Sequence, residues 1–235
     1  MRRSARHAES LLLILSFGAC VAQPRAITPQ ANGQRRIDNG AGVRGACETP
    51  VAERTENYGC YLITETPFGA APAAPVFWYL YSFPSRAAAE AARSAGGTVL
   101  EAFGRMWVMT LAAEGWRSPA GDFVGRVGPI PLKPGVSYTA RYMEATFGPG
   151  MRTRVHRHSG PEAWFVLTGS QCLETPEGTT VVRAGEGSIV REGPPMMLSS
   201  VGTELRTALV LVVYDSAKPW SAAAHDWDAK GICPN

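Results

Sequence analysis

Residues 150–169 read G-M-R-T-R-V-H-R-H-S-G-P-E-A-W-F-V-L-T-G, and this stretch decides the fold of the β-rich part of the chain around it. His156 and His158 stand one residue apart. Side chains two positions apart on a strand project from one face, so an extended segment points both imidazoles the same way. Glu162 follows the Gly160-Pro161 bend, which can swing its carboxylate onto that face. Two imidazoles and a carboxylate converging on a point make a ligand set for a divalent first-row metal ion. Gly150 and Gly169, at the two ends, permit the turns that bring the flanking strands together.

Working outward, nearly everything from Val136 to Tyr214 reads as β. Tyr138–Phe147, Arg152–His158 and Ala163–Thr168 are expected strands. So are Gln171–Thr175, Thr179–Val182, Ser188–Val190, Met197–Ser200 and Arg206–Tyr214. Short strands at this spacing, separated by Gly and Pro turns, predict a double-sheet jelly roll. The barrel is assigned to residues 129–215 and a C-terminal tail packing on it to 216–235. Residues 47–128 are expected to form a small α+β subdomain, as a packed flank or dimerisation unit. In it, Tyr58–Thr64 and the apolar run Val76–Phe83 read as strands. Ser85 caps a helix over Arg86–Ala95, and Thr98–Phe103 with Arg105–Ala112 read as a hairpin. Residues 113–135, rich in Gly, Pro and Ser, read as the connection into the barrel.

The spacing G-x5-H-x-H-x3-E-x6-G resembles the first motif of the cupins. Gly150, His156, His158, Glu162 and Gly169 meet every fixed position. The resemblance covers roughly residues 130–215 and implies a mainly β protein built on a cupin double-stranded β-helix. It further implies a metal held by His156, His158 and Glu162. In the second cupin motif, G-x5-P-x-G-x2-H-x3-N, the histidine is the usual fourth ligand. Here Gly185 and Gly193 are in place, while Arg191, Met196 and Ser200 stand where Pro, His and Asn are expected. A thioether is a soft, weak ligand for most divalent ions, which leaves a two-histidine, one-carboxylate group with open positions. Iron, zinc, manganese and copper all remain candidates. Arg154, Trp164 and Met196 are candidate pocket residues, the first two by strand parity with the ligands. Two functional classes stay open: a metal-dependent enzyme of dioxygenase or isomerase type acting on a small organic substrate, and a non-catalytic ligand-binding module with weak or no metal.

The N-terminus reads as a targeting segment. Arg2, Arg3 and Arg6 precede an apolar run over Leu11–Gly18 and the small residues Ala19, Cys20 and Ala22. A signal peptide over 1–22 and a lipoprotein signal ending at Cys20 both fit, followed by a flexible leader over 23–46. Export, to the periplasm or outside the cell, is the expectation, with membrane contact only if Cys20 is lipidated. Cys47, Cys60, Cys172 and Cys233 agree with an oxidising compartment. Three connectivities exist; Cys47–Cys60 is favoured as local, which leaves Cys172–Cys233, and a free buried Cys172 is the alternative. The formal charge of +3 lies largely in the first 22 residues and supports no nucleic-acid partner. A small molecule is the expected partner, and a homodimer is left open.

Overall fold

A computed structural model describes residues 36–37 and 47–234. The expected signal peptide, Cys20 and all but Arg36–Ile37 of the leader lie outside the described residues. The strands are β1 (Arg36–Ile37), β2 (Gly59–Ala70), β3 (Val76–Phe83), β4 (Gly97–Ala102), β5 (Arg105–Ala113), β6 (Asp122–Ile130), β7 (Ser137–Phe147) and β8 (Arg152–Thr153). They continue as β9 (His156–His158), β10 (Glu162–Thr168), β11 (Ser170–Thr175), β12 (Gly178–Arg183), β13 (Gly187–Val190), β14 (Met197–Val201), β15 (Arg206–Asp215) and β16 (Ser221–Ala223). Among the described residues an α-helix, α1 (Arg86–Ala92), follows β3, and a 3-10 turn, Val51–Glu53, precedes β2.

Two five-stranded sheets face each other. Their orders are β1-β8-β14-β11-β12 and β13-β10-β15-β7-β2. Leu173, Val182 and Leu198 from the first meet Met143, Trp164 and Val210 from the second in one apolar cluster between them. This is the expected double-stranded β-helix. The second sheet is covered on its other face as well. A four-stranded sheet, β4-β5-β3-β6, lays Trp78, Leu80, Trp107 and Met109 against Tyr142, Phe165, Leu209 and Leu211. On the far side of that small sheet, α1 inserts Ala89 and Ala92 among Phe77, Tyr79 and Val108. A strand buried on both faces has no polar side to show, which is why β15 reads A-L-V-L-V-V through its middle. Gly169, in the turn between β10 and β11, takes φ +68°, a conformation open to glycine at no steric cost.

Three expectations are corrected. The strand expected over Tyr58–Thr64 runs over Gly59–Ala70 and belongs to the barrel sheet, where it pairs with β7 from Gly59↔Thr146 to Ala70↔Ser137. Its partner lies far along the chain, so nothing local in the sequence announced it. Residues 113–135 are not all connection, since β6 lies within them and completes the small sheet against β3. Its Gly125, Gly128 and Pro129 read as loop composition, and register shifts beside Val76 and Leu80 absorb the irregularity. The helix stops at Ala92, because Arg93 is already extended. Ser85 caps it as expected, its Oγ accepting the Ala88 N–H at 3.2 Å, and Glu90 pairs with Arg93.

The cysteines pair as Cys47–Cys60 and Cys172–Cys233. The C-terminal residues return to the barrel, with β16 antiparallel to β9. Buried Glu174 accepts the backbone N–H groups of Lys230 and Gly231 at 2.5 and 3.1 Å, beside the second disulfide.

Candidate metal centre

The stretch expected as one strand, Arg152–His158, breaks into β8 and β9 with Arg154 and Val155 between. The break overturns the parity argument for Arg154. Its side chain is exposed and does not line the cavity. Its backbone has a different role, because the Arg154 carbonyl lies 2.8 Å from His156 Nδ1. After β9 the chain reverses at Gly160, where a Cβ would sit 1.9 Å from the Val213 carbonyl oxygen. Only glycine fits so close an approach. Glu162 then opens β10, and the bend delivers its carboxylate to the histidines as expected.

One ligand-capable atom from each of His156, His158 and Glu162 lies within 4.8 Å of the others, and all three residues are buried. The imidazoles stand edge-on, 4.9 Å apart between centroids. Their tautomers follow from their partners. His158 Nδ1 lies 3.0 Å from the Trp220 carbonyl, as His156 Nδ1 does from that of Arg154. A carbonyl can only accept, so each Nδ1 carries a proton, and the neutral form of either ring presents its lone pair at Nε2. Burial, with His158 close by, lowers the pKa of His156 to about 4 against the opposing pull of Glu162, so this ring is neutral near pH 7.

His158 Nε2 faces Glu162 Oε2 at 3.3 Å, and neither atom has a hydrogen-bond partner among the described residues. Two buried acceptors at that distance need a proton or a cation between them. The donor set, two imidazoles and a carboxylate, suits a divalent first-row ion.

Met196 exchanges two backbone hydrogen bonds with His156, at 3.1 and 2.8 Å. The family's fourth-ligand position is therefore next to the triad, with a buried thioether in place of imidazole. Trp164 lies wholly inside the barrel core, between Ser188 and Val210 in register, and does not line the cavity. His225 is exposed.

The cavity beside the triad has a volume of about 20 Å³, room for one or two water-sized groups. His158, Glu162, Thr153, Gln171, Arg206 and the Cys47–Cys60 disulfide line it. Sequence reasoning missed Gln171 and Arg206. Arg206 begins a strand that is apolar through its middle, on the same parity as Val210 and Val212, the signal that could have found it. Its guanidinium lies over the Phe147 ring at 3.8 Å, and Nη1 donates to the Ala145 carbonyl at 3.4 Å. Burial lowers its pKa to about 9, with Glu162 opposing, so the charge is retained at neutral pH. Trp220 was also missed. It stacks on His158 at 5.2 Å and carries the Arg141 guanidinium on its ring at 4.4 Å.

Two facing five-stranded sheets with His158 and Glu162 turned into the space between them decide the architecture. The barrel has the cupin fold. No family model and no curated protein matches the sequence. Among solved structures, a cupin-like protein from Thermotoga maritima is 14% identical over 36% of this chain and 64% of its own, with a TM-score of 0.34. A Klebsiella pneumoniae protein with a double-stranded β-helix domain is 19% identical over 42% of this chain and 78% of its own, at 0.33. An oxalate oxidase is 21% identical over 36% of this chain and 46% of its own, at 0.32. This chain thus spans less than two thirds of the first and under half of the last. Likenesses this slight carry no argument, and the cupin barrel rests on its own strand order and motif.

Proposed function

We propose that this is an exported cupin-fold protein that holds a divalent first-row metal ion on His156, His158 and Glu162 and uses it on a small organic substrate. The observation that carries this reading is the pair of buried acceptors, His158 Nε2 and Glu162 Oε2, facing each other at 3.3 Å. The ion, when bound, supplies a Lewis acid with open positions for substrate or oxygen. The chain's own residues prepare that site. The carbonyls of Arg154 and Trp220 fix both imidazoles as Nε2 ligands, a second layer of contacts that orients the first. Packing around the disulfide and Trp220 keeps bulk water from the triad. Export is supported by the two disulfides, which belong to an oxidising compartment. Among the described residues no helix is long and apolar enough to cross a membrane.

The test is elemental analysis of protein purified without added metal, beside a His156→Ala, His158→Ala double variant. The expected result is near-stoichiometric iron, zinc, manganese or copper that disappears in the variant. Equal and negligible metal in both would sink the site, leaving a protonated His158 against Glu162 as the explanation of their contact.

A second reading, an ion or ligand bound without catalysis, is favoured by the small cavity and by Met196 at the fourth position. Azide added to copper-loaded protein separates the two. A changed paramagnetic resonance spectrum signals an open, reachable coordination position, as catalysis needs. An unchanged spectrum favours the closed site.

A further inference from the structure

Arg206 is buried, yet its Nε and Nη2 have no hydrogen-bond partner among the described residues. Gln171, wholly buried, has neither its amide oxygen nor its amide nitrogen partnered there. Both side chains line the same cavity as His158 and Glu162. A buried polar group left unmatched is costly, and three donors and one acceptor on two side chains that line one cavity call for a common partner.

The geometry of the arginine narrows what that partner is. Nε and Nη2 share one edge of the guanidinium, and their two N–H bonds run parallel, which matches the two oxygens of a planar carboxylate. The other nitrogen is taken up by the Ala145 carbonyl, and the Phe147 ring beneath fixes the plane. We propose that Arg206 and Gln171 seat the carboxylate of a small organic acid inside the barrel, beside the metal triad. Arg206 grips the carboxylate through its Nε/Nη2 edge. The Gln171 amide donates to the acid, and its carbonyl accepts from a hydroxyl where the acid has one. A cavity of about 20 Å³ admits one or two water-sized groups, so the acid it holds is of formate size and acetate is too large. Charge favours the same class, since a divalent ion, Glu162 and Arg206 together leave an excess of positive charge for an anion to neutralise. The inference rests on the metal reading for that balance, and on Arg206 and Gln171 alone for the carboxylate contact.

The experiment is titration calorimetry of the full chain with sodium formate and sodium acetate, each beside its neutral counterpart, formamide and acetamide. Wild-type protein is expected to bind formate and neither amide, with acetate excluded by its extra methyl group. Arg206→Met should weaken formate binding by about tenfold or more with metal content unchanged. Arg206→Lys should not restore it, because a point charge lacks the two-pronged edge. Gln171→Leu should weaken it less. Equal heats from formate and formamide, no heat from either, or formate binding retained in Arg206→Met would each overturn the proposal. Should Arg206→Met fail to fold, the wild-type comparison and Gln171→Leu still decide. The His156→Ala, His158→Ala variant separates the two readings. Carboxylate-selective binding in wild-type protein that carries no metal keeps the seat and removes the metal. Metal without carboxylate selectivity does the reverse.

Discussion

The sheet β13-β10-β15-β7-β2 buries both of its faces, and the two faces follow different rules. The outward face meets the small sheet with Tyr142, Ala163, Phe165, Leu209 and Leu211, an apolar layer closed by Trp78 and Trp107. The inward face, built from alternate residues of the same strands, mixes Trp164, Val210 and Val212 with Glu162 and Arg206. One strand therefore serves stability and chemistry on alternate residues. Apolar burial outside lets the inside hold charges that would weaken a lone barrel.

Four changes probe this division. The largest effect is expected on the outward side. Trp78→Ala, at a fully buried position, should cost about 3–5 kcal/mol of stability in urea unfolding. Metal stoichiometry of the folded fraction should be unchanged. If metal is lost as well, the two faces are coupled and the division fails. Next, Cys233→Ser opens a disulfide spanning 61 residues and should cost about 2–4 kcal/mol. It should also weaken metal binding, since the tail carries the Trp220 carbonyl that holds His158. On the inward side, Glu162→Gln should lower metal affinity about a hundredfold or more, measured by competition with a chelator. Stability of the metal-free protein should change little or rise, because a buried carboxylate is removed. The smallest effect belongs to Trp220→Ala, which keeps the backbone carbonyl and removes only the stacked ring. A change in metal affinity of less than about tenfold is expected; a Glu162-sized loss would show that the ring itself holds the site.

The barrel was legible because its signals are local. Strand, turn and motif spacing all lie within residues 137–215, and Gly160 and Gly169 mark reversals that depend on their own backbone. The triad was legible because three ligands fall within seven residues of sequence. What failed depended on distant partners. The pairing of Gly59–Ala70 with β7 is set by an open sheet edge some eighty residues on, and β6 hides behind glycines and a proline that a paired strand tolerates through bulges. Arg154 was singled out on the premise of a continuous strand, and the break at Arg154–Val155 removed it. Arg206 and Gln171 lie on strands that were correctly anticipated. Their meeting with Glu162 follows only when both sheets are folded face to face.

The contact between His158 and the Trp220 carbonyl has a consequence for the order of folding. Trp220 lies beyond the barrel strands, and the strand that follows it, β16, pairs with β9 only after the tail has returned across the barrel. Until that segment has docked, His158 lacks the acceptor that fixes its tautomer. The barrel strands can fold first, but the ligand set is complete only once β16 has paired with β9. Metal capture thus reports that this segment has docked.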